Sequence, residues 1–212
     1  MKPAQDKYQR NYYENILFKS NSNSQRNQQG LRELLSYKPG GKLLEIGCGK
    51  GEFLELAQKH FDVRGMDISD YATRHAASQH FSFIRNGDIE AENIDQNEYD
   101  AIAAFNVLEH LHNPGNALLK LFLGLRQQGV MIGSVPLNAG LIGKTLTSIT
   151  NMVDRTHVST YPPHQWRRLF QDTGFSQIQL FGEVTIGKNR NVYIRHRFWP
   201  YVSFNLMFVC IK

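Results

Sequence analysis

Residues Leu43 to Gly51 read LLEIGCGKG. A short apolar run breaks into Gly47, Gly49 and Gly51. It is followed by Glu52–His60, with apolar residues at 53, 54, 56 and 57. That order predicts a buried strand, a glycine turn and a helix. Glycines in such a turn permit positive φ and let a ligand approach the backbone closely. The spacing is GxGxG. A dinucleotide fingerprint wants its third glycine at position 52, which is Glu52, and this argues against a nicotinamide cofactor. A strand-to-helix turn with no ligand can carry the same glycines, so the flanking segments must decide.

Outward from this turn, strands and helices alternate. Asp62–Met66, His80–Arg85, Tyr99–Phe105 and Val130–Val135 read as strands, and Asp70–Gln79 and Pro114–Gln127 as helices. Pro114 suits a helix start. This alternation predicts an α/β fold with a parallel sheet covered on both faces. Upstream, Ser20–Gly30 (SNSNSQRNQQG) is either a mobile loop or the polar start of a helix running through Leu31, Leu34 and Leu35 to Tyr37. Lys38-Pro39-Gly40-Gly41 stops that helix. Downstream, residues 137–160 are polar and irregular, Pro163–Thr173 is a helix ended by Gly174, and Phe175–Ile186 and Phe204–Ile211 are β-rich runs expected to pair antiparallel at one edge. The expected organisation is one domain over 1–212, with an amino-terminal arm and helix (1–37) and a lid-like insertion (137–160).

Three further side chains sit at the carboxyl ends of predicted strands, where open α/β sheets bind ligands. Asp67 ends the second strand, and a carboxylate there can accept from both hydroxyls of a ribose. A helix cap is the alternative, although Ser69 or Asp70 fits that task better. Asp88 follows the third strand and suits the exocyclic amine of an adenine. It is also one acid in an acidic loop containing Glu90, Glu92 and Asp95. Asn106 closes the fourth strand.

Taken together, LLEIGCGKG, GMDIS, NGDIE, YDAIAAFNVLEHLHNP and THVSTYPPHQWRRLFQDTGF resemble the motifs of class I S-adenosylmethionine-dependent methyltransferases of the small-molecule type, similar to those of quinone biosynthesis. The resemblance runs from about Leu43 to Ile211. It implies a Rossmann-like, doubly wound, seven-stranded sheet, mostly parallel with an antiparallel last strand, and S-adenosyl-L-methionine as cofactor. It also implies positions. Glu45 would lie under the loop, near the methionine ammonium or holding the glycine backbone, and Gly47, Cys48 and Gly49 would face the methionine portion. Asp67 would take the ribose with Ile68 against the adenine. Asp88 and Ile89 would take the adenine edge and face. Asn106 and Val107 would line the floor under the sulfonium. Phe53 falls on the buried side of its helix and reads as core.

Methyl transfer to a hydroxyl gains from a general base, and histidine suits neutral pH. His110, after the fourth strand, and His157, in the insertion, are the candidate catalytic residues; each is alternatively a hydrogen-bonded structural histidine. His112 is i+2 from His110 and would not share a helical face with it, so no metal site is expected. Tyr8, Tyr12, Tyr13, Tyr161 and Trp166 could stack on an acceptor ring or simply pack.

The 212 residues, 41% hydrophobic and 20% charged, suit a globular chain and exclude disordered, collagen-like and coiled-coil classes. No apolar run reaches the roughly 20 residues of a membrane span, and Met1–Arg10 is too polar for a secretory signal. Cys48 and Cys210 stand far apart and make no framework. A cytoplasmic protein is the simplest expectation. Charge is uneven. Residues 1–106 hold 13 Lys and Arg against 15 Asp and Glu, and residues 107–212 hold 11 against 4, a net −2 and +7. A basic carboxyl half suits an anionic substrate, nucleic acid or a lipid surface, or is merely solvated. The strand end FNVLEH lacks the Asn/Asp-Pro-Pro-Tyr pattern of DNA amino methylation, and no cysteine lies near it for cytosine chemistry. The expected activity is methyl transfer to a small-molecule acceptor, aromatic or anionic, with O-methylation favoured. An RNA or protein acceptor, or a non-catalytic cofactor-binding regulator, are the rivals. Acceptor identity and oligomeric state are not legible in the sequence.

Overall fold

The computed structural model describes residues 21–78, 83–138, 157–186, 190–195, 203 and 205–212. The elements in chain order are α1 (Asn21–Tyr37), β1 (Gly41–Ile46), α2 (Glu52–Ala57), β2 (Phe61–Asp67), α3 (Asp70–Ser78), β3 (Ile84–Asn86) and β4 (Tyr99–Phe105). A 3₁₀ turn (Leu108–His110) follows, then α4 (Pro114–Gly124), β5 (Leu125–Pro136), α5 (Pro163–Thr173), β6 (Gln177–Ile186), β7 (Arg190–Ile194) and β8 (Asn205–Ile211).

The strands form one sheet in the order β3-β2-β1-β4-β5-β8-β6-β7. The pairs among β1 to β5 are parallel, whereas β8 runs antiparallel to both β5 and β6. The mostly parallel, doubly wound sheet with an antiparallel last strand is therefore present. Among the described residues it has eight strands where seven were expected. The added strand is β7, which turns back on β6 and pairs Val192 with Val184. The two β-rich carboxyl runs do pair antiparallel, but β8 lies between β5 and β6 and β7 takes the edge.

Side-chain alternation builds the two covering layers. Ala101 and Ala103 of β4, Val130 and Ile132 of β5, and Met207 and Val209 of β8 pack with Leu31 and Leu34 of α1 and Phe53, Leu54 and Ala57 of α2. Ile102 and Ala104, Met131, and Leu206, Phe208 and Cys210 face the other way, against Ala117, Leu118 and Leu121 of α4 and Trp166 and Phe170 of α5. The central parts of β1, β4, β5 and β8 are buried on both faces, which is why these strands read as continuous apolar runs.

Local chemistry sets the ends. The polar segment before Leu31 is the start of α1. Arg26 holds it to the sheet by donating to both oxygens of buried Glu183, at 3.1 and 3.3 Å. Asn113 caps α4, its Oδ1 accepting from Asn116 N at 3.1 Å, with Pro114 next in line. Gly174 ends α5 with φ +112°, the left-handed conformation that favours glycine there. Among the described residues no helix is long and apolar enough to cross a membrane.

Candidate active site

The carboxyl ends of β1, β2, β3 and β4 lie side by side, and the predicted site residues hang from them. After β1, Gly47, Gly49 and Gly51 all take positive φ, at +69°, +52° and +88°. Gly47 N and Cys48 N both donate to Met66 O, at 2.7 and 3.3 Å, so the loop folds over the end of β2. Val107 presses on it from β4. A Cβ at Gly47 would collide with Val107 Cγ2, so the approach of the two strand ends demands glycine.

Asp67 organises this turn. It is buried, and its Oδ2 accepts from Gly49 N at 2.7 Å while Oδ1 accepts from Ser69 N at 2.8 Å. Ser69 takes the helix-capping task, its Oγ accepting from Ala72 N at 3.1 Å. Glu45 lies beneath the loop, 5% exposed, and among the described residues its Oε2 has no hydrogen-bond partner. Burial, and then the negative charges of Asp67 and Glu52, hold its carboxyl well above the ordinary glutamate range. Cys48 is buried, and its side chain joins the apolar cluster with Phe53 and Leu54 rather than lining the open side. Burial, and then the negative charges of Glu45 and Asp67, push its thiol well up. Phe53 is core, edge-on to Phe105 at 5.1 Å.

The third strand end is tied to the second. Gly87 N donates to Asp67 O at 2.9 Å, and Asn86 Nδ2 donates to Asp67 O and Ile68 O at 3.1 and 3.0 Å. Ile68 is half-buried, whereas Ile89 is buried in the opposite layer. Asp88 Oδ1 accepts from Glu90 N at 2.9 Å, and Asp88 O accepts from Ala91 N and Glu92 N. Much of its local role is therefore to shape the turn. Lys120 of α4 fixes that turn from below, donating to the carbonyls of Ile89, Glu90 and Glu92 at 2.9, 2.8 and 2.9 Å. Neither Asn86 nor Lys120 was found from sequence. The Asn-Gly pair ending β3 offered a hint for the first, and nothing marked the second.

At the end of β4, Asn106 takes φ +54°. Its N–H donates to Ser134 O at 2.8 Å, and Ser134 Oγ donates to its Oδ1 at 3.0 Å. The chain then turns so that Glu109 is buried and His110 half-buried. The irregular segment that precedes α5 brings His157 to the same place, with ring centroids of His110 and His157 4.8 Å apart. Val158 N and Ser159 N both donate to Glu109 O at 2.9 Å, and Ser159 Oγ donates to Leu111 O at 2.7 Å. The two histidines, separated by 47 positions in sequence, are thus joined by main-chain bonds. His112 points away, toward Glu90 at 3.4 Å.

The aromatic candidates divide. Trp166 is buried and packs on Tyr161 and Phe170 at 5.1 and 6.4 Å, so it belongs to the core and not to a lid. Tyr8, Tyr12 and Tyr13, and residues 139–156 of the insertion, lie outside the described residues.

A family model described as a methyltransferase domain matches residues 20–180. No curated protein matches the chain. Solved structures do. A Thermotoga maritima S-adenosylmethionine-dependent methyltransferase, described as a possible histamine N-methyltransferase, superposes with a TM-score of 0.75 at 15% identity, covering 95% of each chain. A SAM-dependent methyltransferase from Archaeoglobus fulgidus gives 0.73 at 17% identity, over 95% of this chain and 98% of that one. Phosphoethanolamine N-methyltransferase 2 of Haemonchus contortus, in complex with phosphomonomethylethanolamine and S-adenosylhomocysteine, gives 0.62 at 19% identity, over 72% of this chain and 38% of that one.

Proposed function

The chain belongs to the methyltransferase-domain family, and from that premise we propose that it uses S-adenosylmethionine to methylate a small-molecule acceptor, with a hydroxyl oxygen favoured. The fit to the cofactor rests on the site itself. Glu45 is a buried carboxylate with an unpartnered oxygen among the described residues, next to Asp67 and Glu52. A molecule carrying sulfonium and ammonium charge compensates that negative cluster. When bound, S-adenosylmethionine supplies a methyl group on a sulfonium, whose leaving group is a neutral thioether. Gly47 and Gly49, with the main chain of Cys48, would hold its methionine portion above Glu45. Asp67 would take the ribose, Ile68, Asp88 and Ile89 the adenine, and Asn106 and Val107 the floor.

The residues of the chain then have two tasks. One is to hold the acceptor in line with the methyl group, which needs position more than acid–base chemistry. The other is to receive the acceptor's proton. The observation that carries the hydroxyl reading is the pairing of His110 with His157 beyond the end of β4. Such a group within reach of a hydroxyl contributes typically 10²–10⁴ in rate. His157→Ala is therefore expected to lower turnover by about 10²-fold or more, while S-adenosylhomocysteine binds as in the wild type. Equal turnover would remove His157 from the mechanism. The carbon chemical shift of the transferred methyl group, read by NMR, separates O- from N-methylation.

The basic carboxyl half, net +7 over residues 107–212, supports an anionic acceptor and, as a second reading, RNA. RNA binding that weakens steeply with salt would favour the second, and no binding at low salt would dismiss it. Failure to form S-adenosylhomocysteine with any acceptor would favour a regulatory protein. We further propose that 1–212 act as one domain, with 1–37 and 137–160 forming the acceptor side.

A further inference from the structure

We propose that Glu109, His110 and His157 form a binding site for one divalent transition-metal ion at the carboxyl end of β4. One potential ligand atom from each residue lies within 4.8 Å of the other two. Metal bonds of about 2.0–2.1 Å set neighbouring donors of a tetrahedral ion about 3.3–3.4 Å apart. Small side-chain rotations close that difference. Two imidazoles and one carboxylate are the donor set that zinc and the neighbouring first-row ions take, whereas magnesium and calcium prefer oxygen alone.

The frame is set before any ion arrives. Glu109 O accepts from Val158 N and Ser159 N, which fastens the His157 segment to the 3₁₀ turn that carries Glu109 and His110. Glu109 is 1% exposed, and its Oε1 stands 3.9 Å from His110 Nε2. The two histidines are half-buried, so the open side of the cluster leaves a coordination position for a ligand from outside, as catalytic sites do. The metal site stands on this geometry alone. Its use rests on the proposed methyl transfer: with an ion bound, His110 and His157 would serve as its ligands in place of acting as the base, and the acceptor's hydroxyl, bound at the ion, would lose its proton to solvent.

The test is a titration of untagged, chelator-stripped protein with Co²⁺, followed by its visible absorption and by calorimetry. One ion per chain, visible ligand-field bands, and displacement by Zn²⁺ are expected. Affinity should fall at least tenfold in His157→Ala and in Glu109→Gln and stay unchanged in His112→Ala. X-ray absorption at the cobalt edge should count two imidazoles, a readout on the wild type that needs no variant to fold. Absence of Co²⁺ binding, or wild-type affinity in a folded His157→Ala protein, would overturn the site. Co²⁺ bound by two imidazoles in a protein that methylates no hydroxyl would keep the site and reject the acceptor reading. Methylation of a hydroxyl that survives chelation, with no Co²⁺ bound, would do the reverse.

Discussion

Replacing Gly47 by Ala is expected to damage stability and nucleoside binding together. Gly47 stands at φ +69°, a conformation that costs an L-residue about 1–2 kcal/mol. The new Cβ would also strike Val107 Cγ2 and stand 3.5 and 3.6 Å from that residue's Cβ and Cγ1. Val107 is β-branched and cannot swing the methyl aside without leaving a rotamer well. Overpacking of that kind adds about 1–3 kcal/mol. The sum, about 2–5 kcal/mol, is a large share of the roughly 5–15 kcal/mol that holds a domain together. At 2–4 °C per kcal/mol for a chain of this size, the melting temperature should fall by roughly 4–20 °C. The loop can relieve the collision only by drawing back from the strand end it now contacts. The affinity for S-adenosylhomocysteine should therefore drop at least tenfold, about 1.4 kcal/mol. Differential scanning fluorimetry and calorimetric titration read both quantities. Adding Val107→Ala should return the overpacking share and leave the left-handed share. A Gly47→Ala protein that melts and binds like the wild type would refute the reasoning.

Glu45→Gln removes a buried charge that the cofactor's positive charge compensates. S-adenosylmethionine affinity should fall by roughly 10- to 150-fold, the worth of a charged hydrogen bond at about 1.5–3 kcal/mol. The same change should make the cofactor-free fold less sensitive to pH. The folded-state pKa of Glu45 is raised, so its contribution is fully present below the ordinary glutamate range and is lost as pH rises through the folded value. Melting curves of wild type and variant across pH should converge in acid and separate toward neutrality, the variant being the more stable; parallel curves would contradict this. Asp67→Asn sets an amide N–H₂ against Gly49 N or Ser69 N, which now donate at 2.7 and 2.8 Å. It should cost about 1.5–3 kcal/mol in chemical unfolding and weaken nucleoside binding as well. Gly174→Ala is the contrasting case. It strains a φ of +112° far from the loop, so it should cost about 1–2 kcal/mol in stability and leave the calorimetric titration unchanged.

Much of the fold was legible because local signals agreed with it. β4 and α5 have the expected bounds of Tyr99–Phe105 and Pro163–Thr173. A run of small apolar residues defines the first, and proline and glycine punctuation the second. β5 begins at Leu125, five residues before the expected Val130, because Leu125 pairs with Tyr99 across a bulge. The intervening Arg126, Gln127 and Gln128 are exposed and hide the strand from any periodicity. β7 was missed for a similar reason: RNVYI is a partly polar edge strand, defined by its partner β6 and not by its own pattern. The site divides the same way. The glycine turn and the acids at strand ends are local motifs, and sequence marks them. That Asp67 grips the Gly49 amide, that Lys120 props the third turn, and that His157 returns to His110 are long-range facts, and a single sequence carries no trace of them.

The glycine turn and the acids behind it are proposed to receive S-adenosylmethionine. Isothermal calorimetry of that molecule, and of its demethylated product, into folded wild-type chain tests this most directly. Saturable binding of each ligand at one site per chain, weakened by Gly47→Ala and by Glu45→Gln, is expected. A flat titration of protein whose circular dichroism and cooperative melting show it to be folded would contradict it.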